Sequence, residues 1–404
     1  MPVLQLPPDV LRVGEPTPFA LRDQVGRLLI PRGTLVASEL QLQQLAARNL
    51  YIDQQDGGAL QRAMAGKLDT MVRQGALIGA LAKAQPSAID IGNGAAKSLE
   101  VKRTDPIAAW SSLQLRTSAL LRDTSQPGFG AGLLEAQSRL LELLDADADT
   151  ALMLLVHAST QEFHDYSVRH AMLVAVICEL AARNIATWPK ACRLSLRCAA
   201  LTMNVSMTQM QNELAAQDSP PSLQQRAQIE GHASRSAALL REAGVTDELW
   251  LQAVEHHHGS PPGPFDGRPP ALQMARLIQR ADIFAARLSP RKSRTPMSAT
   301  AAAKAAYLDE TQQPDEAGSV IIKATGLYPP GCMVRLSNGE VAVVLRRGRL
   351  ATDPVVASIV NAMGQGIAVP ALRNTRLSAH VVTGGVAAHE VKVRLDLARL
   401  LRLI

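Results

Sequence analysis

The chain has 404 residues, 47% of them hydrophobic, which is enough for two or three packed domains. Its net charge of +6 and isoelectric point of 9.3 are mildly basic, yet aromatic residues make up only 3%, so stacking platforms for single-stranded nucleic acid are scarce. No apolar run reaches the roughly 18 residues needed to cross a bilayer, and the N-terminal MPVLQLPPDVL lacks the basic and apolar regions of an export signal; no membrane contact and a cytoplasmic location are expected.

Residues 1–56 carry short apolar runs broken by turn signals, with Asp23 and Gly26 in LRDQVGRLLIPRG and Gly33 before the helical ASELQLQQLAARN. This predicts a small β-rich N-terminal module with one helix. Residues 57–133 alternate helical stretches with Gly, Ser, Pro and Asp clusters such as AQPSAIDIGNGAAKS and TSQPGFG. A helical connector is expected there, long enough for reach or for contact with a second copy in a homodimer. From 134 to 326 the apolar spacing is helical almost throughout, in LLEAQSRLLELL, HAMLVAVICELAARN, ELWLQAVEHHH and ALQMARLIQRADIFAARL. Residues 327–404 contain YPPGCMVRLSNGEVAVVLRRG, in which SNG between two alternating runs signals a hairpin, and β-like stretches AHVVTGG and HEVKVRLDL. The expected fold is mainly α: a helical bundle flanked by a small N-terminal β-rich module and a small C-terminal β domain.

Several strings that look functional read more simply as structure. Cys178, Cys192, Cys198 and Cys332 sit in apolar stretches with no CxxC spacing and read as buried small hydrophobes. Asp145, Asp147 and Asp149 open like a calcium loop, but Thr150 stands at the glycine position and Val156 at the bidentate glutamate, so a solvated helix start is expected. GFGAGL at 128–133 has no preceding strand and no GK[ST], which argues against a phosphate cradle. His164-Asp165 is an adjacent His-Asp pair, but a helix should begin after Asp165, with Ser167 an alternative cap, carrying His170 on the same face as Val174 and Ile177.

Downstream motifs give His170 its interest. Asp165-Tyr166-Ser167-Val168-Arg169-His170 resembles the DxYTxxH opening of the HD-GYP family, bacterial cyclic di-GMP phosphodiesterases of the HD metallophosphohydrolase superfamily. IEGHASRSAALLREAGV resembles the family's IxxHPxxGxxLL, placing its histidine on His232. EHHHG resembles the HHE element, placing two histidines on His256 and His257 and the glutamate on His258. GSPPGPFDG, from Gly259 to Gly267, stands for a shortened GYP loop. ARLIQRADIFAARLSPRKSRTPMS resembles ARIxxVADxFDAxxxxRPYRxxMS, with Asp282 on the late metal aspartate and Arg291 and Arg294 on the two arginines. The resemblance covers roughly half of the chain and implies an HD-type helical bundle, with His170, His232, His256, His257 and Asp282 as metal ligands and Arg291 and Arg294 as phosphate-binding residues.

The departure lies in ALTMNVSM, which occupies the place of the family's LHDIGK. The resemblance implies that an aspartate there bridges two metals, usually iron or manganese, and that a metal-activated hydroxide attacks the phosphodiester. Two divalent ions about 3.7 Å apart repel by about 18 kcal/mol at an effective dielectric of about 20, so an anionic bridge is essential. Asn204 keeps the shape of aspartate without its charge, Met203 offers a thioether in place of imidazole, and Met207 replaces the lysine. No intact catalytic set remains. His232, His256 and His257, with His258 as a substitute ligand, still suit one divalent iron, manganese or zinc ion; the alternative is a metal-free cleft lined by polar remnants, toward which the lost carboxylate tips the balance. Arg291, Lys292 and Arg294 suit either a phosphate or plain solvation.

Three functions follow as expectations. The first is a cyclic di-GMP signalling protein with a degenerate metal site, acting by binding the nucleotide or partners such as diguanylate cyclases. The second is an active metal-dependent phosphodiesterase, giving pGpG or GMP from a rebuilt mononuclear site. The third, a nucleic-acid scaffold through Arg346, Arg347 and Arg349, is disfavoured by the lack of interleaved aromatics.

Overall fold

The computed structural model describes residues 105–404 except 162–164 and 260, most of 3–53, and isolated positions from there to 71. The chain divides into two compact units, Met1–Thr104 and Asp105–Ile404. The second half of His164-Asp165 is described; His164 itself lies outside the described residues.

The first unit contains strands β1 (Val3–Gln5), β2 (Leu21–Arg22), β3 (Leu28–Ile30) and β4 (Tyr51–Asp53), with helix α1 (Glu39–Ala46) before the last. The sheet is antiparallel in the order β1-β4-β2-β3. The β2–β3 turn forms because the Asp23 carboxylate accepts from the backbone N–H groups of Val25 and Arg27, both at 2.9 Å, and Gly26 takes a φ of 83°. Leu6, Phe19, Leu21 and Ile52 fill the small core.

The second unit begins with α2 (Pro106–Arg122), α3 (Phe129–Ala146), α4 (Ala148–Gln161), α5 (Tyr166–Ala182) and α6 (Lys190–Thr202). After the short turn Val205–Met207 come α7 (Thr208–Ala216), α8 (Leu223–Glu230), α9 (His232–Glu242) and α10 (Glu248–His256). The helical part ends with α11 (Pro270–Leu288), α12 (Ala299–Tyr307) and α13 (Glu316–Thr325). α5 is its axis: every residue from Tyr166 to Ala182 is buried, Arg169, His170 and Glu179 included, and α4, α6, α11 and α13 pack around it. α2 places Trp110, Leu113 and Leu121 in the same core, so the helical unit takes in part of the stretch that the sequence assigns to the connector. Residues 72–104 of that stretch lie outside the described residues.

Buried charges tie the helices. Glu179, fully buried on α5, accepts from Arg197 Nη1 at 2.6 Å and Arg183 Nε at 3.1 Å, with Arg193 Nη1 at 3.5 Å. Arg276 and Arg280 of α11 are held by Asp315 and Glu310. Of the aspartates that resemble a calcium loop, Asp147 and Asp149 are at the start of α4 while Asp145 lies exposed in the last turn of α3, and each meets an arginine: Asp145 takes Arg183, Asp147 takes Arg346 and Asp149 takes Arg347. GFGAGL likewise opens α3, with Phe129 and Leu133 in the core. All four cysteines are buried and free, and burial raises the thiols of Cys178, Cys198 and Cys332, that of Cys198 to about 12.

A five-stranded antiparallel sheet follows, β5 (Met333–Leu336), β6 (Val341–Arg346), β7 (Val355–Val360), β8 (Gly366–Arg373) and β9 (Val382–Val386), in the order β8-β7-β6-β5-β9. Ser337-Asn338-Gly339 turns the β5–β6 hairpin, with Met333 opposite Val343 and Gly339 at a φ of 87°. HEVKVRLDL corrects one expectation, since it forms no strand. Val391, Val393 and Leu395 pack their side chains on the sheet's core while the backbone joins no ladder, so the alternation reports one-sided burial alone; the terminal α14 (Leu397–Leu401) follows. The mainly helical chain with a small β-rich part at each end agrees with the expected fold class. Among the described residues no helix is long and apolar enough to cross a membrane.

Candidate metal centre

His232 opens α9, and His257 and His258 follow the last turn of α10. The His232 and His257 rings are buried, at 2% and 0% exposure, and each Nδ1 meets the carbonyl of the residue three before it, Ile229 and Val254 respectively. A carbonyl can only accept, so both Nδ1 atoms carry the proton and both Nε2 atoms present a lone pair. Those two Nε2 atoms lie 3.2 Å apart. Facing lone pairs repel unless a proton or a cation sits between them. Two nitrogens on one tetrahedral zinc, with bonds of about 2.0 Å, lie about 3.3 Å apart, so the spacing fits a shared metal ion.

His258 completes the cluster. Its ring is 4.2 Å from that of His257 and 4.9 Å from that of His232, and one nitrogen from each of the three lies within 4.8 Å of the others. Burial, reinforced by His258 and then His232, pushes His257 down to about 3; burial also lowers His232. Both rings are therefore neutral near pH 7, the form that binds metal. His256, the last residue of α10, is exposed and does not join the three. Of the expected ligands in the HHH run, the structure brings His257 and the substitute His258 to the cluster and leaves His256 outside it, because the run straddles a helix end, where helical spacing stops predicting direction.

Asp282 of α11 meets His170 of α5 across the core, Oδ1 to Nε2 at 2.6 Å. Burial works to raise this carboxyl, but the His170 hydrogen bond and the charges of His170, His258 and His257 outweigh it and hold it well below the usual range. Its charge also acts on His232 and His257. Tyr166 stacks on His170 with ring centres 5.6 Å apart, and Arg291 lies 5.3 Å from the Tyr166 ring, donating to its hydroxyl at 3.3 Å. Arg294 is turned to the Ala286 carbonyl, and the backbones of Arg291 and Arg294 bond to each other. The two guanidinium groups are thus directed inward, with both Nε atoms buried and unpartnered, while Lys292 is exposed near Asp218 at 3.7 Å.

The turn after α6 supplies no carboxylate. Met203 is fully buried in the apolar core, and Asn204 and Met207 are half-buried on either side of Val205 and Ser206. Ser206 pins this turn to α9 by donating to the His232 carbonyl at 2.9 Å, and Ser236 donates to Ser206 Oγ at 3.0 Å. No motif marks these serines; their part comes from packing. The loop of Gly259–Gly267 is tied by Arg268, which donates to the carbonyls of Pro264, Pro261 and Gly263 at 2.6, 2.8 and 2.9 Å. Phe265 anchors it against Trp188, ring centres 6.0 Å apart.

No family model and no curated protein matches the chain. Among solved structures, the chain is similar to Bd1817, an HDG"Y"P protein from Bdellovibrio bacteriovorus, with 13% identity over 80% of this chain and 99% of that one and a TM-score of 0.43. At that identity and score, the chemistry of the histidine cluster rests on this chain's own residues.

Proposed function

We propose that this chain is an HD-GYP-like signalling module that holds one divalent ion and acts by binding cyclic di-GMP or a diguanylate cyclase-type partner, with phosphodiester hydrolysis lost. The single observation that carries the ion is the pair of Nε2 atoms of His232 and His257, 3.2 Å apart and both deprotonated by their carbonyl contacts. His232, His257 and His258 would hold it, and imidazole donors favour zinc or iron over manganese. When bound, such an ion supplies Lewis acidity and fixes the ends of α9 and α10 together.

Support for lost hydrolysis comes from the turn at 203–207. Asn204 is neutral and Met203 is committed to the apolar core, so neither shares a charge between two ions. Asp282 is the acid beside the histidines, and its Oδ1 is engaged by His170. His170 then serves as a positioning residue that keeps Asp282 ionised.

Metal analysis of the purified full chain, paired with a cyclic di-GMP hydrolysis assay, tests both halves. One zinc or iron per chain with no pGpG or GMP formed is the expected result. Two ions per chain, or metal-dependent turnover, would overturn the binding role in favour of a rebuilt phosphodiesterase; protein that takes up no ion when loaded would remove the metal centre.

A further inference from the structure

A concave region lies in the same compact unit as the histidine cluster, between the C-terminal end of α13 and the connection from β6 to β7. Its volume is about 800 Å³, within the range of sites that enclose small organic ligands. Three cations line it, Lys323, Arg347 and Arg349, against one carboxylate, Asp149. That gives three positive charges less one negative, a surplus of two; the α13 C-terminus subtracts roughly half a charge.

The three cations are not equivalent. Arg347 is spoken for: its Nε donates to Asp149 and its Nη1 to the Ala324 carbonyl at 2.6 Å, so the bond to that carbonyl also covers part of the helix end. Lys323 and Arg349 have no hydrogen bond or ion pair among the described residues. The loop that carries Arg349 is nonetheless fixed. A Cβ at Gly348 would lie 2.0 Å from the Asp353 carbonyl oxygen, so only glycine fits. The Asp353 carboxylate accepts from Leu350 N at 2.7 Å and from Arg376 Nε at 2.8 Å. Tyr307 and Tyr328 add aromatic surface, and burial raises the Tyr328 phenol, which keeps it a donor.

We infer that this pocket is a binding site for a small ligand with two negative charges on an aromatic body, the chemistry of a nucleotide. Lys323 and Arg349 meet the phosphate charges, Arg347 holds the floor, and the tyrosines face the base. The site is separate from the histidine cluster and would let the chain bind a nucleotide without any part of its metal chemistry.

The test is calorimetric titration of the full chain with cyclic di-GMP, GMP and inorganic phosphate, in the natural protein, in Lys323→Gln/Arg349→Gln and in His257→Ala. Both charge positions are exposed, and an unchanged melting temperature confirms that the double variant folds. The expected result is that at least one nucleotide binds more tightly than phosphate, that the double variant weakens it by about tenfold or more, and that His257→Ala leaves it unchanged. Nucleotide binding undiminished in the double variant, phosphate binding as tight as the nucleotides, or no nucleotide binding at all would overturn the site. Binding lost only in His257→Ala would overturn it as well, while leaving the metal-holding role of the histidines intact.

Discussion

Replacing His257 by alanine separates a metal ligand from a buried histidine of ordinary kind. An ion that binds only the folded chain, at one hundred times its dissociation constant, stabilises it by about 2.7 kcal/mol. In a unit of this size each kcal/mol moves the melting temperature by about 2 °C, so zinc should raise it by about 5 °C. His257 supplies one of the two Nε2 atoms at 3.2 Å, and its loss should weaken binding about 100-fold, leaving about 0.4 kcal/mol at the same zinc concentration and a shift below about 1 °C. The variant also loses buried contacts, so each protein is compared with itself, with and without zinc, by scanning calorimetry. His256→Ala is the paired control: its ring is exposed and outside the cluster, and the full shift should survive. A shift that persists in His257→Ala, or that vanishes in His256→Ala, refutes the assignment of ligands.

Glu179→Gln should cost about 3 kcal/mol, read as a lower urea midpoint, because it leaves the buried Arg197 without its counter-charge while zinc uptake is unaffected. Glu340 gives a pH signature. The hydrogen bonds from Arg373, joined by those from Ser358 and Asn338 and opposed by burial, hold its carboxyl down at about 2. A depressed carboxyl adds stability that is full above the ordinary value of 4.5 and is lost as pH falls toward 2, up to about 3 kcal/mol; acid unfolding of Glu340→Gln should lack that component. Met203→His, the first step toward restoring a family-like site, should destabilise the chain by about 1–3 kcal/mol in thermal melts, since it puts a polar ring into a fully buried apolar position.

Much of the architecture was legible in local pattern. The apolar spacing of HAMLVAVICELAARN predicts the α5 helix, and Ser337-Asn338-Gly339 predicts its hairpin, because helical period and turn chemistry are properties of a few adjacent residues. HEVKVRLDL misled for the same reason: alternation records which side chains are buried, and a strand also needs a neighbour for its backbone. Asp147 and Asp149 were readable as a helix start, whereas Asp145 closes the helix before it, and the arginine partners of the three, at 183, 346 and 347, come from other elements.

The histidine cluster divides along the same line. The residues at 203, 204 and 207 alone establish that this turn brings no negative charge, because charge belongs to the side chain wherever the fold carries it. Which histidines converge was decided only by the crossing of α5, α9, α10 and α11: it turned His257 inward and His256 outward, and closed the 2.6 Å bond between His170 and Asp282. Side-chain chemistry is written residue by residue, whereas the distance between two nitrogens on different helices depends on how their apolar faces pack, and no single segment contains that information.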